Sequence, residues 1–156
     1  MNFPDDLCIG DTLLYNKQSI VNDLIDLKTG DDVAHVEGYV GDGMSVASRN
    51  GIGVNIYPFR ADGLKMVRRL AVPFDKERAD QWFNSGIKGQ PYNWAALGEF
   101  FNLSIDGQGF ICSVFWAWYL WHGGVYLFAP EYSLEKISPR DFKLPRQELK
   151  TIYYNI

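Results

Sequence analysis

A continuous apolar run, residues 110–121 (FICSVFWAWYLW), constrains the fold of this chain more than any other feature. Gly123 and Gly124 follow it, where a helix C-cap is expected. A helix that is apolar on every side has to be covered by other parts of the domain. The run is also far shorter than the roughly 20 residues that span a bilayer. We therefore expect a core helix and no membrane span.

The composition is that of one compact domain. The chain has 156 residues, of which 47% are hydrophobic and 15% aromatic, so it can bury a core without disulfides or metal. The charged fraction of 22% is ordinary for a globular protein and excludes a disordered chain. We interpret residues 1–156 as a single domain.

Charge and cysteine content limit the partners and cofactors. The net charge of −4 lacks the basic excess of nucleic-acid binders, so nucleic acid is not an expected partner. Cys8 and Cys112 lie far apart and fit no zinc-ligand spacing, so neither metal nor other cofactor is expected. The first residues lack the basic start and apolar segment of a signal peptide. We expect a protein that is cytoplasmic or released without a signal peptide, and the oligomeric state stays open.

Strand patterns dominate the first half of the chain. Residues 10–15 (GDTLLY) and 33–40 (VAHVEGYV) are predicted strands, and a helical pattern covers residues 19–27 between them. Three more strands are predicted, separated by turn-forming residues, at 44–48, 52–58 and 64–70. This order predicts an antiparallel meander, with the Gly-Asp-Gly sequence at 41–43 as its first hairpin turn.

Helical patterns follow the strands. Residues 75–83 predict a helix that ends near Gly86, and a second helix is expected at about 94–101. Short strands are predicted at 125–128 and 149–154, and Ser138 followed by Pro139 predicts a helix start. The predicted fold class is α+β, with a small antiparallel sheet, a meander or a partial barrel, packed against a helical layer.

His35 lies on the predicted strand 33–40, where the period of two puts His35, Glu37 and Tyr39 on one face. Val36 and Val40 then face the other way. A row of polar side chains at this spacing fits a solvated strand face as well as a functional site. The strand alone does not decide between the two.

Cys112 lies at or just inside the start of the core helix, shortly after the Gly-Gln-Gly turn at 107–109. Backbone N–H groups and the helix dipole lower the pKa of a thiol at that place, as a nucleophile requires. The apolar surroundings favour a buried structural cysteine instead. Whether a base can reach the sulfur decides between these interpretations.

The chain has two histidines that could serve as this base. His122 follows Cys112 by ten residues on the same helix, which is roughly 15 Å at a rise of about 1.5 Å per residue. We interpret His122 as a C-terminal cap, and His35 as the candidate base.

Several motifs carry a family resemblance: LIDLKTGDDVAHVEGYVGDG (24–43), GQPYNW (89–94), GFICSVFWAWYL (109–120) and ISPRDF (137–142). With GDTLLY before them, they resemble the circularly permuted branch of the NlpC-type papain-like cysteine hydrolases, the YiiX-like proteins, over most of the chain. In that branch the strand with the base histidine precedes the helix with the nucleophilic cysteine, the reverse of papain. The resemblance implies a papain-like fold with Cys112 as nucleophile and His35 as general base.

The resemblance also implies acyl chemistry on an amide or ester. The leading hypothesis is a thiol hydrolase, a cysteine peptidase or amidase, that cleaves a peptide such as a peptidoglycan peptide. The related lecithin:retinol acyltransferase-like enzymes raise a second hypothesis, hydrolysis or transfer of a lipid acyl group. A third hypothesis is a binding module that has kept the fold and lost the chemistry.

In the family a third polar residue orients the imidazole, normally from the strand after the histidine strand, and our alignment puts Ala47 at that place. Glu37 is the first candidate to take this role, with Ser45 and Ser48 as alternatives. A site without any orienting residue is the basis of the binding-module hypothesis.

Two aromatic residues are candidate substrate contacts. Tyr92 lies in the GQPYNW motif, and Trp116 follows Cys112 by four positions on the same helix face. Packing is the alternative role for both residues.

Overall fold

The computed structural model describes residues 5–16, 33–93, 111–128 and 134–154. These residues form six strands: β1 (Thr12–Tyr15), β2 (His35–Gly41), β3 (Met44–Arg49), β4 (Gly53–Pro58), β5 (Leu64–Leu70) and β6 (Leu149–Tyr154). The α-helices among them are α1 (Lys76–Trp82) and α2 (Cys112–His122). The fold is mixed α/β. The helices predicted at 19–27 and about 94–101 lie outside the described residues.

The strands form an antiparallel sheet in the order β4-β3-β2-β1-β5-β6. Strands β2, β3 and β4 form the predicted meander. The prediction that the meander continues into β5 is wrong, because β5 pairs with β1 on the far side of β2 and β3. The segment between β4 and β5 therefore crosses the sheet and brings Arg60 over the Tyr15 ring, with the guanidinium carbon 4.7 Å from the ring centroid.

The β2–β3 hairpin turns at the predicted Gly-Asp-Gly sequence. Gly41, Asp42 and Gly43 have φ angles of 100°, 53° and 69°. This left-handed region is open to glycine and tolerated by aspartate, whereas most side chains avoid it. The turn thus fixes the register between the strand that carries His35 and its neighbour.

Helix α2 is the predicted core helix, and most of its side chains are buried. It packs on β2, where Gly38 leaves room for Trp116: a Cβ at position 38 would lie 1.9 Å from the indole ring. The indole Nε1 donates a hydrogen bond to Thr12 Oγ1 at 2.9 Å. Because Thr12 pairs with Gly38, Trp116 holds α2 on the seam between β1 and β2.

Helix α1 begins and ends as its sequence predicts. The Asp75 side chain caps the N-terminus by accepting a hydrogen bond from the Arg78 N–H at 3.0 Å. After Trp82 the chain makes a wider helical turn, Phe83–Ile87, in which Gly86 has a φ of 117°. Glycine is the residue that ends a helix in this conformation.

The C-terminal part agrees with the sequence in two places and differs in one. Ser138 and Asp141 form a capping box at the short 3-10 helix Pro139–Phe142, and β6 forms where a strand is predicted. The strand predicted at residues 125–128 is wrong, because that segment pairs with no strand of the described chain. Its alternating burial, with Tyr126 exposed, imitates a strand pattern.

Both faces of the sheet are covered. The larger core cluster joins α2 to Val36, whereas Tyr39, Tyr15 and Leu13 belong to a second cluster. This agrees with the predicted alternation along β2. Within the described ranges, no helix is both long enough and apolar enough to cross a membrane.

Candidate active site

His35 and Cys112 are each the first residue of their element, β2 and α2. Helix α2 packs on β2, with Val36 and Trp116 in one core cluster. The His35 imidazole and the Cys112 thiol are neighbours, and a hydrogen bond between them is one cause of the pKa shift of each. Both groups are buried, and Cys112 is only 2% exposed. A charge on either group therefore acts strongly on the other.

The electrostatics of this pair favour a thiolate facing an imidazolium. Burial raises the pKa of the Cys112 thiol, but the charge and hydrogen bond of His35, with the N–H groups of Val36 and Ser113, bring it below its ordinary value. Burial lowers the pKa of His35, but the charge of Cys112 and the contact with Glu37 raise it to about 9. Each group thus stabilises the charged form of the other.

Glu37 lies on the other side of the imidazole and has no exposed surface. Its Oε1 lies 3.0 Å from His35 Nε2. Because Nε2 is used in this contact, Nδ1 is the ring nitrogen left for the Cys112 sulfur. The solvated-face interpretation of this strand is wrong, since His35, Glu37 and Tyr39 are all buried.

The Glu37 carboxylate accepts hydrogen bonds from β3 as well. Arg49 binds it with both ends of its guanidinium fork, Nε to Oε1 at 2.8 Å and Nη2 to Oε2 at 3.0 Å. The Ser45 hydroxyl donates to Oε2 at 2.5 Å, and Arg60 Nη2 lies 3.5 Å from Oε1. Burial raises the pKa of Glu37, but His35 and then Arg49 outweigh it and hold that pKa far below its usual range. Glu37 therefore stays ionised.

Ala47, where the family alignment expects a polar residue, lies between Ser45 and Arg49 on the same face of β3. Both neighbours contact Glu37, so the small, fully buried side chain of Ala47 leaves space for the Glu37 carboxylate. Of the two serine alternatives, Ser45 contacts Glu37, whereas Ser48 alternates to the opposite face of β3.

Sequence reasoning missed Arg49 and Arg60. The strand period carries a signal for Arg49, because it falls on the face of Ser45, but the following Asn50-Gly51 suggested only a turn. Arg60 has no local signal. It reaches Glu37 because the segment after β4 crosses the sheet, which depends on strand order.

Tyr92 is buried near the thiol. Its segment is held against the start of β4, where the Val54 N–H donates to the Gln90 carbonyl and the Gly89 N–H donates to the Val54 carbonyl, both at 2.8 Å. Burial, and next the charge of Cys112, raise the pKa of the Tyr92 hydroxyl. The phenol thus keeps its proton beside the sulfur.

Two further residues of α2, Trp116 and His122, pack against other side chains. Trp116 is fully buried and its indole Nε1 binds Thr12 Oγ1, so the structure shows its packing contacts, and its substrate contact stays a prediction. His122 is the last residue of α2, and its ring stacks on Trp82 with centroids 4.6 Å apart.

Comparison with known proteins gives no family assignment. No protein-family model matches the chain, and no curated protein matches it. The arrangement of Cys112, His35 and Glu37 is therefore the basis on which a function can be assigned.

Proposed function

We propose that this chain is a cysteine hydrolase with a circularly permuted papain-like fold, and that it cleaves a peptide or amide bond through an acyl-enzyme on Cys112. The observation that carries the proposal is the hydrogen-bonded series Cys112–His35–Glu37, in which the last member is an anchored carboxylate. A nucleophile, a base and a group that orients the base are the parts that acyl transfer needs.

In the first half of the reaction the Cys112 thiolate attacks the carbonyl carbon of the scissile bond. We assign binding of the oxyanion that develops to backbone N–H groups in the first turn of α2. The His35 imidazolium then gives its proton to the leaving nitrogen as the carbon–nitrogen bond breaks. The products are a free amine and a thioester on Cys112.

In the second half neutral His35 takes a proton from water, and the resulting hydroxide attacks the thioester carbonyl. The carbon–sulfur bond breaks, which releases a carboxylic acid and returns the thiolate–imidazolium pair. Glu37 acts here as a positioning residue. Its carboxylate accepts the Nε2–H of His35 and so keeps Nδ1 directed at the sulfur.

The contact between Glu37 and His35 removes the main reason for the binding-module hypothesis. That hypothesis rested on Ala47, where the orienting residue of the family is missing. Because Glu37 reaches His35 from two residues along the same strand, we favour an enzyme. Tyr92, whose protonated hydroxyl lies near the sulfur, stays our candidate substrate contact. A peptidoglycan peptide stays the proposed substrate on the strength of the motif resemblance.

The proposal predicts a specific pH dependence for alkylation of Cys112 by iodoacetamide. Because the thiol pKa is lowered, the wild-type rate stays high below pH 7, whereas a thiol with the ordinary pKa of about 8.5 is only about 1% ionised near pH 6.5. In His35→Ala the imidazolium is gone and burial raises the thiol pKa. We expect the rate near pH 6.5 to fall about 100-fold.

The measurement is the alkylation rate from about pH 5 to 10, read by peptide mass spectrometry so that Cys8 is counted separately. Cys112→Ala gives the background, and His122→Ala is the matched control because it removes the other histidine. A wild-type rate that rises only near pH 8.5, or a His35→Ala profile identical to wild type, would contradict the proposal.

We expect the rate of amide cleavage to fall at alkaline pH. The His35 pKa of about 9 means that the imidazolium is present below that pH and lost above it, so amide cleavage falls as pH rises through about 9. Alkylation needs only the thiolate, so its rate does not fall in that pH range.

A second experiment separates peptide cleavage from lipid acyl chemistry. Mass spectrometry of Cys112 after incubation with peptide substrates or with fatty acyl esters shows which acyl group becomes attached to the sulfur.

A further inference from the structure

The Glu37 carboxylate is held by more donors than its role as hydrogen-bond partner of His35 requires. We call Glu37, Arg49 and Ser45 the Glu37 cluster. Within it, the two Arg49 bonds and the Ser45 bond have donor–acceptor distances of 2.5–3.0 Å. A carboxylate that accepts a two-ended guanidinium bond is fixed in both position and plane.

The two carboxylate oxygens have different partners. Oε1 accepts from His35 and from Arg49 Nε, while Oε2 accepts from Ser45 and from Arg49 Nη2. Arg49 is therefore the donor that bridges both oxygens and sets the direction in which Oε1 points. Its side chain is itself held in place, because the guanidinium carbon lies 4.0 Å from the centroid of the Tyr57 ring.

We infer that Arg49 is a positioning residue that fixes the Glu37 carboxylate and, through it, the orientation and tautomer of the His35 imidazole facing Cys112. The inference rests on the proposed function and adds a member to its site. Arg49 acts through Glu37 and takes no proton in the reaction.

Arg49→Lys separates a positioning role from a purely electrostatic role, because lysine keeps the positive charge and loses the fork. Since the imidazolium is already present at low pH, a purely electrostatic role would leave thiolate formation in Arg49→Lys at its wild-type level. Losing the fork frees the Glu37 carboxylate to turn away, which releases His35 and decreases thiolate formation in both variants. Small misplacements of catalytic groups cost up to about a hundredfold.

Several charged or titratable groups surround His35 and enter any interpretation of its pH profile. They come from α2, from β2 itself, from β1, from β3 and from the β4–β5 crossing: Cys112, Glu37, Tyr15, Arg49 and Arg60. Arg49→Met and Arg49→Lys leave the other four in place, so a change in profile reports on Arg49.

The experiment compares Arg49→Met and Arg49→Lys with Arg69→Met and Arg69→Lys. Arg69 forms a matching two-ended pair with the buried Asp11, Nε to Oδ1 at 3.0 Å and Nη2 to Oδ2 at 2.8 Å, remote from the thiol. We expect the Cys112 alkylation rate near pH 6.5 to fall about 10- to 100-fold in Arg49→Met, and less in Arg49→Lys, which keeps the charge without the fork. The Arg69 variants keep the wild-type profile.

A second readout covers the case in which Arg49→Met does not fold. In ¹⁵N-histidine-labelled protein above about pH 9, where the His35 ring is neutral and has a tautomer, the ring nitrogens report which of them carries the proton. We expect Arg49→Lys to lose the defined Nε2–H signal. A wild-type profile and an unchanged tautomer in the Arg49 variants, or a rise in reactivity at low pH, would overturn the inference. A wild-type protein without low-pH reactivity would instead overturn the proposed function.

Discussion

The sheet carries two arginine–carboxylate pairs of nearly the same geometry. In the Glu37 cluster on β2 and β3, Arg49 binds Glu37, and near the start of β1, Arg69 binds Asp11. Both carboxylates are fully buried and both arginines use Nε and Nη2. The two sites differ in the remaining partner: Glu37 contacts His35, whereas Asp11 accepts a hydrogen bond from the Cys8 backbone N–H.

If the proposed function holds, this difference separates a structural use of the motif from a chemical one. Within the described residues, the Asp11 pair contacts backbone groups, the Cys8 N–H on Asp11 and the Asp6 carbonyl on Arg69. The Glu37 cluster passes its rigidity to an imidazole that is in turn bonded to a thiol. A buried ion pair is thus not in itself a sign of a catalytic site, and the third partner decides its role.

Removing either carboxylate should lower the unfolding free energy more than any other change considered below. Glu37→Ala leaves Arg49, whose side chain is 19% exposed, and the buried His35 without their shared partner, which we expect to cost about 3 kcal/mol of unfolding free energy. Asp11→Ala leaves Arg69, which is a third exposed and can turn to water, so its cost is about 1–3 kcal/mol. Urea unfolding measures both values.

The same two variants should separate clearly in reactivity. Cys112 alkylation near pH 6.5 falls in Glu37→Ala and keeps its wild-type rate in Asp11→Ala, since only Glu37 contacts His35. Glu37→Gln, which keeps one acceptor oxygen, replaces the alanine variant if that protein does not fold. Equal losses of reactivity in both variants would show that the two pairs do not differ in the way argued above.

A substitution on the seam between the two pairs should have a smaller effect. Gly38→Ala puts a methyl group into the Trp116 ring, and overpacking of this kind costs about 1–3 kcal/mol. Because Gly38 follows Glu37 and pairs with Thr12, which follows Asp11, the strain falls on both regions. Thermal unfolding measures the loss.

A double variant provides the control for this steric explanation. Trp116→Phe should be less harmful in the Gly38→Ala background than in wild type, because the smaller ring makes room for the methyl group. Additive losses in the double variant would mean that the ring contact is not the cause.

The smallest effect is expected at Ser45. Ser45→Ala removes one donor to Glu37 and leaves the Arg49 fork in place, so we expect a loss of about 1 kcal/mol. The corresponding donor to Asp11 is a backbone N–H, which no side-chain substitution removes. We expect the alkylation profile of Ser45→Ala to differ only slightly from that of the wild type. A change as large as that of Arg49→Met would mean that Ser45 and not Arg49 positions Glu37.

Local patterns predicted most elements of the fold and failed where strand order matters. The alternation around His35, the Gly-Asp-Gly turn and the apolar run ending at His122 each depend on neighbours in sequence, and each formed as expected. The pairing of β5 with β1 depends on which edge the chain reaches after β4, which periodicity does not contain. Residues 125–128 alternate in burial without a strand beside them.

The candidate site followed the same division. His35, Cys112 and Glu37 were named from the strand period, the helix start and the motif resemblance, and the structure brings these three side chains together. Arg49 and Arg60 were missed because their contact with Glu37 depends on β3 and on the crossing after β4. Helical spacing does not tell a cleft wall from the packing beneath it, so the substrate contact of Trp116 stays a prediction.

The contrast in exposure between the two cysteines determines which reagents can tell them apart. Cys8 is exposed, whereas Cys112 is 2% exposed and lies at the start of a packed helix. We therefore expect a bulky maleimide dye to label Cys8 first, which leaves Cys112 to be labelled by a small haloacetamide in a second step.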